Sequence, residues 1–153
     1  MYIQKNDYKS RISTELLNLI LTRILQDEPG IDEVVILSDI SKTAEDIITT
    51  YTCKLYDIIP EFAKSGTTRN YQILNWAINI AMYIVYQRIE DYDVPAKVVK
   101  NHDDTIETLE NVSKGKFDLN LPVAPIIEGS GATDETGTGL RRFGSKKPRS
   151  HEI

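Results

Sequence analysis

The chain has 153 residues and a formal net charge of −5, with 18 Lys and Arg against 23 Asp and Glu; hydrophobic residues make up 41% and charged residues 27%. This length and composition fit one domain with a core, and the acidic balance excludes a protein whose whole surface grips DNA, which needs clustered positive charge. One cysteine, Cys53, and two histidines, His102 and His151, exclude an internal disulfide and a Cys/His zinc site.

The N-terminus lacks a basic region followed by a long apolar run, so no secretory signal is expected. Residues 1–122 are rich in Ile, Leu and Tyr at helical spacing. A short helix is expected over residues 6–12. A second is expected over residues 14–25, with Ser13 as its N-cap and Leu16, Leu17, Ile20, Leu21 and Ile24 on one face. Asp27-Glu28-Pro29-Gly30 stops it, because proline cannot extend the hydrogen-bond ladder and glycine supplies turn geometry. A third spans residues 32–56, with room for a break near Ser38. Its stripe is Ile40, Ala44, Ile47, Ile48, Tyr51 and Leu55, and Pro60 lies beyond its end.

A polar loop over residues 63–69 leads to a helix over residues 70–88. That helix is apolar nearly all round, so it belongs at the centre of a bundle. Its most apolar stretch, residues 73–86, is shorter than the ~20 residues that cross a bilayer and is interrupted by Asn75 and Asn79. A last helix starts at Pro95, with Val98, Val99, His102, Ile106, Leu109 and Val112 on one face and Gly115 at its C-terminus. Phe117, Leu119 and Leu121 alternate with Asp118 and Asn120, the pattern of a short half-buried strand. The expected fold is all-α: a bundle of four to five helices, a short C-terminal strand or hairpin, and an extended tail. The body is residues 1–122 and the tail residues 123–153.

The candidates for chemistry are weak. Residues 139–146 superficially resemble a phosphate loop, but Ser145 separates Gly144 from Lys146 and Pro148 opposes a following helix. His102 beside Asp103 and Asp104 has the look of a general base, yet no nucleophile is near it, so it reads as a packing or capping histidine. Cys53 reads as a buried, inert thiol. Asp103, Asp104, Glu107 and Glu110 read as a solvated helix face, not a metal site. Trp76 and the tyrosines at positions 51, 56, 71, 83, 86 and 92 sit at core spacings, which favours packing over base stacking. Neither a cofactor nor an enzymatic activity is expected.

The tail turns from acidic-polar to basic. Leu140, Arg141, Arg142, Phe143, Lys146, Lys147 and Arg149 mix cations with two large apolar anchors. Such a segment has no core of its own, so it reads as a docking element for a partner chain.

One order of motifs runs through the body. It begins with Tyr2, Asp7-Tyr8 and Arg11-Ile12. It continues with Ile40, Ala44, Glu45, Ile47, Ile48, Tyr51, Leu55-Tyr56 and Pro60, then Leu74, Ala77, Ile80-Ala81 and Tyr83. It closes with Pro95, Val99, Asp103-Asp104, Ile106, Leu109, Gly115 and Leu119 to Pro122. Over residues 2–122 this order resembles the head–tail connector (adaptor) family of Mu-like tailed phages. The departures are residues 26–38, the Cys53-Lys54-Leu55-Tyr56 stretch and the unmatched basic tail.

The resemblance implies a structural virion protein at the head–tail interface, assembled in the host cytoplasm. Such proteins form a homo-oligomeric ring, commonly of twelve copies, beneath the portal protein. The ring extends the DNA channel, through which the genome passes without sequence-specific binding, and docks a downstream neck or tail protein. Tyr51, Lys54 and Tyr56 are then candidates for the contact between neighbouring subunits. The cations of the tail would pair with carboxylates of the portal or of a neighbouring ring, while Leu140 and Phe143 fill apolar pockets. The rival reading is an all-helical nucleic-acid-binding regulator with a basic C-terminal arm. It is disfavoured because no helix gathers Arg and Lys on one face.

Overall fold

The computed structural model describes residues 1–89 and 93–124. Residues 1–4 lead into a 3-10 helix, Lys5–Ser10, closed by a reciprocal box: the Gln4 N–H donates to Asp7 Oδ2 at 2.7 Å and the Asp7 N–H to the Gln4 carbonyl at 2.9 Å. Helix α1, Thr14–Asp27, starts as expected on Ser13, whose Oγ accepts from the Leu16 N–H at 3.2 Å. Such a cap contributes about 1 kcal/mol. The chain leaves α1 through Gly30, whose φ of 97° suits only a residue without Cβ.

Helix α2, Glu33–Thr52, runs unbroken through Ser38 and stops short of Tyr56. The reason lies after Thr52. The Asp57 N–H donates to the Pro122 carbonyl at 2.9 Å, and the Ala124 N–H to the Leu55 carbonyl at 3.0 Å. Backbone groups that another helical turn would have used are taken by the C-terminal segment. The body's contacts therefore continue to Ala124. Among the described residues there is no strand where Phe117, Leu119 and Leu121 alternate, but a single antiparallel bridge between Tyr56 and Val123. A strand needs a sheet edge along its length, and here the segment meets only a helix end. Leu119 is buried, Leu121 half-buried and Phe117 exposed.

A one-turn helix α3, Ile59–Phe62, occupies the site read as beyond a helix end. Pro60 starts it, because a missing N–H costs nothing in a first turn. A 3-10 turn, Gly66–Thr68, leads to α4, Tyr71–Gln87, whose cap Asn70 accepts from the Gln72 and Ile73 N–H groups at 3.0 and 3.3 Å. Helix α5, Ala96–Ser113, ends where Gly115, at φ 68°, donates to the Val112 carbonyl.

Helices α2, α4 and α5 pack on one another, and the opening 3-10 helix lies on α1 and α4. α4 is the centre, as its apolar circumference requires: Ile73, Ala77, Ile80, Ala81 and Val85 are fully buried. α1 contributes Leu17, Ile20, Leu21 and Ile24 to the same core. Leu16, expected on that face, is 40% exposed.

Candidate functional site

The densest polar site lies where the first residues cross the segment before α4. The Tyr2 N–H donates to Glu45 Oε1 at 3.1 Å and the Ile3 N–H to Ser41 Oγ at 3.1 Å; Ser41 in turn donates to Glu45 Oε1 at 2.7 Å. The Tyr2 hydroxyl donates to Glu61 Oε1 at 3.0 Å, the Asn70 N–H donates to the same oxygen, and Lys64 Nζ binds Oε2 at 2.6 Å. Arg69 Nη1 reaches the Tyr2 carbonyl at 2.8 Å and Asp7 Oδ2 at 2.6 Å, with Nη2 on Asp7 Oδ1 at 3.1 Å. The ring of Tyr2 meets Phe62 edge-on at 5.2 Å.

Asp7 and Glu61 are each paired with a cation, and Glu45 is held by the Tyr2 N–H and the Ser41 hydroxyl. Burial works against ionisation of Asp7, but the Arg69 hydrogen bond, the Gln4 N–H and the Arg69 charge outweigh it, and its carboxyl lies below the usual range. Burial likewise opposes the charge on Glu61; the Asn70 N–H, Lys64 and the Tyr2 hydroxyl overcome it and lower its pKa. Burial, then the hydrogen bond to Glu61, pushes the Tyr2 phenol well above its ordinary value. The cluster fastens the N-terminus and the α3–α4 segment to α2. Its parts already have partners, so its role is architectural.

A second network crosses the bundle. Arg11 Nε donates to Asn79 Oδ1 at 2.9 Å, its Nη2 donates to Asn75, and Asn79 Nδ2 donates to Thr105 Oγ1 at 3.0 Å. It ties the opening of α1 to α4 and α5.

The residues singled out in the sequence do not converge. The His102 ring stacks on Tyr83 at 4.1 Å between centroids, and its Nδ1 lies 3.1 Å from Asp103 Oδ1. Cys53 is exposed, contrary to the expected buried thiol, because α2 ends at Thr52 and leaves it in the turn. Asp103, Asp104, Glu107 and Glu110 form an exposed face of α5. Among the described residues no group of three His, Cys, Asp or Glu side chains is placed to hold a metal ion. None of the described helices is long and apolar enough to cross a membrane.

The three proposed subunit contacts separate. Tyr56 is a core residue: it is 7% exposed and its hydroxyl accepts from the Leu119 N–H at 3.1 Å. Tyr51 is half-buried against the core, and Lys54 is exposed. Trp76 and Tyr86 are buried, whereas Tyr71 is 82% exposed. Tyr92 and the docking segment Leu140, Arg141, Arg142, Phe143, Lys146, Lys147 and Arg149 lie outside the described residues, as does the loop over residues 139–146.

Three surface features were not read from the sequence. A half-open groove of about 410 Å³ lies between the start of α1, the second half of α4 and the start of α5, with Ile12, Leu16, Met82, Tyr86 and Val98 in its lining beside Arg11, Asn79 and Lys97. A second, of about 480 Å³, follows α1 from Leu16 past Leu19 and Arg23 to Ile89. At the other end of α1 the turn into α2 exposes Ile31, Val34 and Val35 at 40, 67 and 48%. The break in periodicity at Pro29-Gly30 is the one sequence signal that pointed there.

No curated protein and no solved structure matches the chain. A family model described as Bacteriophage Mu, Gp36 matches residues 2–133, which leaves the basic segment beyond the match.

Proposed function

Because the chain belongs to the bacteriophage Mu Gp36 family, we propose that it is a structural virion protein that forms a head–tail connector ring beneath the portal. The family match carries the reading, together with the order of body motifs that resembles phage adaptors. The surface supports it: Ile31, Val34 and Val35 stand together at the turn into α2, 40, 67 and 48% exposed. Apolar side chains left outside a complete core suit a protein that finishes its burial against other chains.

In this reading the subunits meet head to tail through two different faces, the arrangement that closes a ring. The acidic body suits a channel lining, where like charge keeps DNA from adhering as it passes. The tail docks by its cations and by Leu140 and Phe143. Each docking pays an ordering entropy, and twelve simultaneous attachments offset it by avidity. The protein makes and breaks no bonds of its own and takes no cofactor. It works at the head–tail junction of the particle, after assembly in the host cytoplasm, and the next neck or tail protein binds its far side.

Sedimentation of the purified chain, alone and with portal, tests this. Alone and dilute it is monomeric or weakly associated; with portal it co-sediments as a ring. A stable dodecamer in dilute solution without portal contradicts the templated assembly, and salt-dependent binding to duplex DNA by the isolated chain favours a nucleic-acid regulator instead.

A further inference from the structure

Resting on that ring reading, we propose that the turn between α1 and α2 of one copy seats in the groove between α1, α4 and α5 of the next copy. Three observations carry this. The first is shape. Ile31, Val34 and Val35 protrude at the turn, while the groove is concave and offers Ile12, Leu16, Met82 and Val98 among polar lining residues. Burying the three side chains removes from water the apolar surface that the monomer leaves exposed.

The second is charge. Asp32 lies between Ile31 and Val34, Asp27 ends α1 and Asp39 follows Val35 by one helical turn, all exposed, with the exposed Arg23 one turn before Asp27; Glu33 is paired with Lys5 at 2.5 Å. The charged residues lining the groove are Arg11 and Lys97. Arg11 is held by the neutral amides of Asn75 and Asn79, so its positive charge meets no carboxylate there. An acidic rim facing a basic rim fixes the register and disfavours the reversed pairing of like patches.

The third is position. The groove opens at Ser10 to Leu16, at the first turn of α1, and the turn follows the last residue of that helix. Fourteen residues at 1.5 Å each separate them by roughly 21 Å. Donor and acceptor patches at opposite ends of one helix give a heterologous contact, which repeats from copy to copy and closes only as a ring or continues as a filament.

The test is site-directed cross-linking of the full chain in a Cys53→Ser background. Val34→Cys and Lys97→Cys are made separately, mixed at high concentration and treated with a short bismaleimide. A cross-linked dimer from the mixture, none from either variant alone, and a ladder from the double variant are expected. A charge reversal supplies an independent readout: Lys97→Glu weakens self-association about tenfold or more by sedimentation, and adding Asp32→Lys restores it. If the chains associate but the mixture gives no dimer and the charge swap restores nothing, this contact is wrong and the ring stands. If they associate neither alone at any concentration nor on portal, both readings fall.

Discussion

The Arg69 guanidinium grips the Asp7 carboxylate as a fork, Nη1 to Oδ2 at 2.6 Å and Nη2 to Oδ1 at 3.1 Å, with 8 and 15% of the two side chains exposed. The two residues stand 62 positions apart, and the same guanidinium holds the Tyr2 carbonyl. One ion pair therefore couples the N-terminus, the opening turn and the entry to α4.

Removing one partner of a buried pair leaves the other charge uncompensated. Arg69→Ala is expected to cost about 3–5 kcal/mol in urea unfolding. Arg69→Lys should recover only part of this, because an ammonium cannot make the fork. A loss below about 1 kcal/mol would mean the pair is effectively solvated.

The same cluster sets the pH range. Asp7 and Glu61 have pKa values below those of an unfolded carboxyl, about 4. Their contribution is complete above that range and is lost as the pH falls through the folded-state values. Tyr2 and Tyr8 give the opposite limit. Burial, joined by Glu61 for Tyr2 and by the Asp7 charge for Tyr8, holds both phenols protonated. Their contribution is complete below about pH 10 and is lost as the pH rises beyond it. Melting temperatures across this range should fall at both ends, and Asp7→Asn should flatten the acid limb. An unchanged acid limb in that variant would contradict the assignment.

Two identical substitutions should differ in sign. Tyr56→Phe removes the acceptor of the buried Leu119 N–H and should cost about 1–3 kcal/mol, with faster exchange of that amide. The Tyr8 hydroxyl is buried with no hydrogen-bond partner in the described structure, so Tyr8→Phe should be neutral or stabilising by up to about 1 kcal/mol. Equal losses in both variants would refute the distinction.

The helices were legible because their signals are local. Ser13 and Asn70 cap, Pro29-Gly30 and Gly115 stop, and the apolar circumference of α4 declares its central place. What the sequence hid depends on distant pairing. Glu61 lies between the expected helix end and the polar loop, where no element is expected, and only its convergence with Tyr2, Lys64 and Asn70 makes it a core residue. Tyr56 reads as the last residue of the third helix and as a contact between neighbouring subunits. Once the helix ends at Thr52 its azimuth no longer follows the 3.6-residue period, and it turns inward to Leu119. Leu16 matches the periodic face but lies at its edge, over a groove.

The tail prediction concerns assembly alone. Deleting residues 140–153 should leave the unfolding midpoint of the body unchanged and abolish its incorporation into particles, read by immunoblot of purified virions. Normal incorporation of the truncated chain would dispose of the docking role.

Imaging the finished particle by electron microscopy, with an antibody or a fused marker on this chain, decides whether it forms a ring at the head–tail junction. Label is expected at one vertex alone, in a ring coaxial with the DNA channel between portal and tail. Label spread over the capsid shell or along the tail, or particles lacking the chain, would contradict it.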